Sequence, residues 1–350
     1  MKFSIPNVET MIGQMIMVGL KGSDKKSISI FLDSLPKSGI GGVILYDEDI
    51  SNSKTTERNV INSSQLKSFT SSLQSHFNIP LFIGIDQEGG NVNRLKKIKK
   101  YDNMKSWSEI GKDNDMNCTK DFAQNTAKAL SEHGININFA PVLDLSINPK
   151  SVITKKGRCF SSNPKQIAEH SKIFIEEHLS NKILAIGKHF PGQGSAIADT
   201  HYSMTDSTNE WSIDELLPYE LLIEEKCLHG IMTSHIYNHN LDSKYPATLS
   251  SKILNELLRQ KMNFSGIIIS DDPQMKAISD HYGLKESLSL MINAGIDIFC
   301  FGNNLIYDPD IAMKTYRSIK ELLKKNKIKY ESILSSYQRI MKVKSLLKLI

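Results

Sequence analysis

Short, uninterrupted apolar runs recur along the chain, separated by longer stretches in which apolar residues return every three or four positions. The runs are Met15 to Gly19, Gly42 to Tyr46, Leu81 to Ile85, Ile135 to Leu143, Ile183 to Lys188, Gly230 to Ser234, Gly266 to Ser270 and Ile296 to Phe301. Most end in or run into Gly, Asn, Asp or His, so the pattern predicts strands alternating with helices. Strands apolar on both faces need cover on both sides, which points to a parallel sheet flanked by helices. Eight such units in 350 residues predict an α/β fold, a (β/α)8 barrel of TIM type. The competing arrangement, an open doubly wound sheet, carries a GxGxxG turn after its first strand, and none follows here.

After the eighth run, Ile319, Leu322 and Leu323, then Ile333, Leu334, Tyr337, Ile340 and Met341, keep helical spacing. They predict two amphipathic helices within residues 311–350 that close the barrel. No linker rich in Pro, Gly or Ser marks a boundary, so residues 1–350 are expected to form a single barrel domain.

Composition narrows the function classes. With 40% hydrophobic and 23% charged residues the chain has the make-up of a folded globular protein, which excludes disorder for most of it. The balance of 43 Lys+Arg against 38 Asp+Glu is dispersed apart from Lys96 to Lys100 and the C-terminal segment, so no nucleic-acid partner is expected. Cys118, Cys159, Cys227 and Cys300 lie far apart and near no histidine at a zinc spacing, which predicts neither a metal site nor a disulfide framework. No run approaches the roughly 18 apolar residues of a membrane helix. The N-terminus makes a poor secretory signal, and the expectation is a cytoplasmic protein with no membrane partner.

Polar residues gather at the ends of the predicted strands: Asp86, Asp144, Lys188, His189, His235, Asp271, Asp272, Asn303 and Asn304. In a barrel those ends converge on one face, where active sites form. The segment Gly187-Lys-His-Phe-Pro-Gly-Gln-Gly-Ser-Ala-Ile-Ala-Asp-Thr-His201 leaves its strand through Lys188 and His189 and enters a Gly- and Pro-shaped loop expected to move as a flap. Asp199 and His201 are two apart, so in extended chain a carboxylate meets an imidazole, orients it and stabilises its cation. His201 thereby becomes a proton donor and acceptor near neutral pH. Gly266-Ile-Ile-Ile-Ser-Asp-Asp-Pro-Gln-Met275 delivers two carboxylates at a strand end. Alternation aims one of them into the barrel mouth, and a helix N-cap suits Asp272 better than Asp271. A fixed carboxylate beside a loop-borne acid/base suits displacement at a sugar carbon. In Ile83-Gly-Ile-Asp-Gln-Glu-Gly-Gly-Asn-Val-Asn-Arg94, Asp86 is placed to accept hydrogen bonds from substrate hydroxyls.

These segments, with NFAPVLDL, GRCF, MTSHIY, PATLS and SDDPQM, resemble glycoside hydrolase family 3, specifically its β-N-acetylglucosaminidase branch, from about Ile12 to Asn303 and again from Lys327 to Leu347. The resemblance implies a retaining exo-β-N-acetylglucosaminidase on a (β/α)8 barrel, working without cofactor or metal on small carbohydrates such as cell-wall muropeptides or chitin-type fragments. It assigns Asp271 as nucleophile, His201 as acid/base and Asp199 as that histidine's partner. Asp86, Arg94, Arg158, Lys188 and His189 match residues that hold the sugar, and Met275 matches one lining the pocket. Asn91 and Asn93 stand where Arg and Gln are common, Thr200 where Ser is usual, and Pro273 where an aliphatic residue is typical; these departures bear on substrate preference. A phosphorylase, in which phosphate replaces water, is compatible with a histidine acid/base because an imidazole does not repel the incoming anion. A β-glucosidase and a non-catalytic sugar-binding barrel are the remaining readings. Oligomeric state is not legible.

Overall fold

Each apolar run becomes a strand, and the strands pair in sequence order. The computed structural model describes residues 5–51, 55–197 and 204–350. The strands are β1 (Ile16–Gly19), β2 (Gly42–Leu45), β3 (Phe82–Ile85), β4 (Ile137–Asn138), β5 (Leu184–Ala185 continued by Gly187–Phe190), β6 (Gly230–Thr233), β7 (Ile267–Ile269) and β8 (Phe299–Phe301). Parallel ladders join β8 to β1, β1 to β2, and so on through the first half of β5, while the second half of β5 pairs with β6 and β6 with β7. Single parallel bridges, Val142 opposite Lys188 and Ile269 opposite Ile298, complete the ring. The α/β barrel read from the sequence is the fold observed. The fourth run forms less strand than expected. It pairs at Ile137–Asn138, then Pro141 follows through a cis Ala140–Pro141 bond, and a residue without an N–H cannot extend the ladder.

Helices connect the strands on the outside: α1 (Val8–Gln14) leads into β1, followed in order by α2 (Lys25–Asp33), α3 (Ser63–Gln74), α4 (Met116–Glu132), α5 (Pro164–Ser180), α6 (Leu217–Glu224), the π-type helix Lys252–Lys261, and α7 (Leu284–Ala294). Their starts are written locally. Asn62 accepts the Gln65 N–H before α3, and Asn163 precedes Pro164, the residue best suited to a first helical position, at the head of α5. The tail forms α8 (Ile311–Lys324) and α9 (Tyr330–Leu346), which bury the predicted Ile319, Leu322, Ile333, Tyr337, Ile340 and Met341. At the N-terminal end of the barrel the fully buried Lys344 of α9 donates to Gln14 Oε1 at 2.6 Å, to the Pro80 carbonyl at 2.7 Å and to the Gly41 carbonyl at 3.2 Å. One ammonium therefore ties the last helix to α1 and to the entries of β2 and β3.

A short helix, Trp107–Asp113, supports the opposite end. Trp107 packs on Phe160 and Phe174 with ring centroids 4.8 and 5.5 Å apart and donates its indole N–H to the Val142 carbonyl at 3.1 Å. Gly111 of the same helix lies directly against the Phe160 carbonyl, leaving no space for a Cβ. The segment carrying Arg158 is thus pressed backbone to backbone against a helix. Gly111→Ala should lower stability by about 1–3 kcal/mol, the cost of overpacking a filled site. Gly283→Ala, where an added Cβ meets nothing within 4 Å, should stay within about 0.5 kcal/mol. Urea midpoints of the two variants measured side by side check this.

Candidate active site

The turn after β3 is held by Asn138 at the end of β4, whose amide accepts the Gln87 N–H at 3.0 Å and donates to the Gln87 carbonyl at 3.1 Å. Flanking that anchored residue, Asp86 and Glu88 point the same way and meet Lys188 of β5, at 2.7 Å from Asp86 Oδ1 and 2.6 Å from Glu88 Oε1. Arg158 forks onto the same Glu88, with Nε and Nη2 each at 2.8 Å. Only 2% of the Lys188 side chain and 3% of the Glu88 side chain are exposed. Burial alone would raise the Glu88 pKa, but the Arg158 and Lys188 charges outweigh it and hold this carboxyl far below the usual range.

His189 is oriented from beneath. Its Nδ1 lies 2.7 Å from Oδ2 of the fully buried Asp144, whose other oxygen accepts the His189 and Gln193 backbone N–H groups at 3.2 and 2.8 Å. With Nδ1 donating to Asp144, Nε2 faces Arg158 Nη2 at 3.4 Å. The Lys188–His189 and Phe190–Pro191 bonds are both cis.

Asp271 follows β7. Its backbone N–H reaches Thr233 Oγ1 at 3.4 Å, and its Oδ1 accepts the Asp272 N–H at 2.8 Å. The Asp272 carboxylate accepts the Gln274 N–H at 2.9 Å, and its carbonyl lies 3.0 Å from His235 Nε2. Here the sequence reading is corrected twice. Both carboxylates line the cavity, not one, because the chain turns immediately after the strand. The helix beyond begins at Lys276 with Met275 at its cap position, so Asp272 caps the intervening turn and not the helix.

Asp86, Arg94, Arg158, Lys188, His189, Asp271, Asp272 and Met275 thus come together around one cavity of about 400 Å³ at the C-terminal end of the strands. Arg94 enters from the hairpin after β3, with Nη1 3.3 Å from Asp47 Oδ1 and its buried Nε without a hydrogen-bond partner. Tyr46 lies between Arg58 and Arg94, whose guanidinium carbons are 5.3 and 5.8 Å from its ring centroid. Asp199, Thr200 and His201 lie outside the described residues. At its start the loop leading to them is buried from Pro191 to Ala196.

Glu88 and Tyr46 belong to the site although the sequence reading assigned them no part in it. Glu88 was findable, since it stands two residues from Asp86 at a strand end, the same spacing from which the sequence reading expects Asp199 to meet His201. Asn93 is buried and structural, bonded to Gln87 Nε2 at 2.9 Å and to the Tyr101 carbonyl at 2.7 Å. Asn91 does line the cavity and donates to the Lys156 carbonyl at 3.0 Å. Among the described residues no group of three His, Cys, Asp or Glu side chains is arranged to hold a metal ion, and no helix is long and apolar enough to cross a membrane.

This arrangement has known counterparts. Beta-hexosaminidase A of Pseudoalteromonas piscicida is 32% identical over 87% of this chain and 53% of its own length. The beta-hexosaminidase of Nitrosomonas eutropha is 32% identical over 80% of this chain and 78% of its own. The chain therefore spans about half of the first protein and about three-quarters of the second. Among solved structures, a glycoside hydrolase family 3 beta-N-acetylglucosaminidase from Paenibacillus superposes with a TM-score of 0.85 at 25% identity, covering 99% of this chain and 63% of that one. A beta-N-acetylhexosaminidase from Beutenbergia cavernae gives 0.84 at 22% identity, with 97% and 99% covered, a likeness of fold alone. The sequence profile described as glycosyl hydrolase family 3 N terminal domain matches residues 7–343, and with relatives this similar across most of the chain, the protein belongs to glycosyl hydrolase family 3.

Proposed function

We propose that this protein is a retaining exo-β-N-acetylglucosaminidase that removes terminal N-acetylglucosamine from muropeptides or chitin-type oligosaccharides. The observation that carries the reading is the single cavity in which the Asp271 carboxylate faces a fixed set of sugar-binding groups, Asp86, Arg158, Lys188 and His189. The names of the relatives, beta-hexosaminidase and beta-N-acetylglucosaminidase, agree with it. In the first step Asp271 attacks the anomeric carbon, and the bond to the leaving oxygen breaks as His201, oriented by Asp199, gives that oxygen its proton. His201, now neutral, then takes a proton from water, which attacks the same carbon and frees the Asp271 carboxylate with net retention. Asp86, Arg94 and the Lys188–Glu88–Arg158 cluster hold the sugar hydroxyls and acetamido group, and Met275 supplies apolar wall. Chemistry of this kind needs no metal or cofactor. Free cysteines, three of them buried, accord with a reducing, cytoplasmic setting.

Asp271→Asn should reduce turnover of an aryl N-acetyl-β-glucosaminide on the order of a thousandfold or more, as loss of a covalent nucleophile does elsewhere. Full activity in that variant would sink the assignment. NMR of the first-formed product should show the β-anomer of N-acetylglucosamine, with a rate indifferent to inorganic phosphate. Accumulation of a sugar phosphate would make the enzyme a phosphorylase instead. Glu88→Gln should lower kcat/KM by roughly 10- to 100-fold, because Lys188 and Arg158 lose a charged hydrogen-bond partner in a buried place. A wild-type kcat/KM would show that the cluster does not position the sugar.

A further inference from the structure

The turn Pro191 to Ser195 lies flat between two buried carboxylates. Asp144 takes the Gln193 N–H on one side. On the other, Glu215, in the 3-10 turn Ile213–Leu216 before α6, accepts the Gly194 N–H at 2.7 Å through Oε2 and the Ser195 hydroxyl at 2.5 Å through Oε1. Glu215 is wholly shielded from solvent. Gly192, at φ +113°, lies against the Glu215 side chain, and Gly194 lies against the Leu145 carbonyl with no space for a Cβ. Gln193 adds a third tie by accepting the Ser234 hydroxyl at 3.0 Å.

We propose that Glu215 is a positioning residue: by clamping Gly194 and Ser195 onto the floor it shares with Asp144, it sets the seat of this turn and of the His189 edge of the cavity during turnover. The activity readout rests on the glycosidase reading above. Among the described residues, the ionisable groups around Glu215 are Asp144, the Tyr219 phenol, whose hydroxyl is buried without a partner, and the Cys159 thiol; beyond Asp144 stand His189 and Arg158. Burial pushes the Glu215 carboxyl up to about 7, with the Asp144 charge adding to the rise against the pull of the Ser195 and Gly194 hydrogen bonds. An unfolded glutamate gives up its proton near 4.5, so the folded chain holds the proton between 4.5 and about 7. Burial of the charge outweighs the two hydrogen bonds, so the folded clamp loses stability as pH rises from 4.5 to about 7 and is indifferent to pH above that. In the protonated form one oxygen donates to Ser195 Oγ while the other accepts from Gly194, a pair of bonds that a glutamine amide can reproduce.

The test compares Glu215→Ala, Glu215→Gln and Ser195→Ala with the wild type, reading kcat/KM across pH and, without substrate, hydrogen exchange at the Gly194 amide. Glu215→Ala should lose roughly tenfold in kcat/KM, with Ser195→Ala in between, and Glu215→Gln should recover most of that loss. Gly194 should lose protection as pH rises from about 4.5 to about 7 in the wild type, beyond the intrinsic rise in exchange rate, but not in Glu215→Gln, and any fall in wild-type kcat/KM over that interval should be absent from Glu215→Gln. Equal losses in the Ala and Gln variants, or identical pH profiles for wild type and Glu215→Gln, would overturn the proposal. If Asp271→Asn proves fully active, the glycosidase reading falls while the exchange data still decide the clamp: Gly194 protection unchanged in Ser195→Ala and independent of pH in the wild type would refute it.

Discussion

Two cations sharing one buried carboxylate organise the mouth of this barrel. Glu88 joins the end of β3 to the end of β5 through Lys188, and to the segment after β4 through Arg158. Removing either cation would leave the buried Glu88 carboxylate with only one of its two charge partners, and removing Glu88 would leave two like charges facing each other. The arrangement holds only as a set, which makes it rigid. A rigid set of donors is what a sugar with several similar hydroxyls needs if it is to be bound in one orientation, because each donor then accepts only one register of the ring. The ring closure of eight parallel strands matters because it brings three distant stretches of chain to this one point.

Much of the architecture was legible from periodicity alone. Apolar runs on both faces demanded a covered parallel sheet, and the count and spacing of the runs demanded closure. The two C-terminal helices could be read from Ile319, Leu322, Ile333, Tyr337 and Ile340, since helical spacing is a local property. The misreading at Ile135 to Leu143 is equally instructive: apolarity marks burial, not ladder pairing, and Pro141 sits in a buried stretch that cannot pair continuously. Lys344 shows the reverse. A lysine in an amphipathic helix reads as a solvated residue, and only the packed structure reveals that its ammonium faces three oxygens from elsewhere in the chain.

At the site, strand-end position was a reliable guide to which residues gather, because the barrel imposes it. Asp86, Lys188, His189, Asp271, Asp272 and Asn304 all meet in one cavity, whereas Arg158 and Met275, which join them there, were marked by the family resemblance and not by strand-end position. Which group supports which was not legible. Asp144 lies under His189, Asp47 under Arg94 and Glu215 under Gly194, pairs separated by 21 to 47 residues and set by burial, which leaves no trace in spacing. The glycines of the 191–195 turn illustrate the ambiguity. Glycine permits mobility in an exposed loop, yet here Gly192 and Gly194 permit the opposite, a backbone pressed against a side chain and a carbonyl with nothing between.

Among the described residues lining the cavity the charges nearly cancel. Glu48, Asp86, Glu88, Asp271 and Asp272 stand against Arg94, Lys156, Arg158 and Lys188 within one small volume. A field so compensated decays within a few ångströms and exerts little pull on molecules approaching through solvent. Capture of substrate then depends on contact and shape rather than on electrostatic steering, and its rate should be nearly indifferent to ionic strength for an uncharged sugar. Such a pocket can work in crowded, salt-variable surroundings without concentrating anionic bystanders at its entrance.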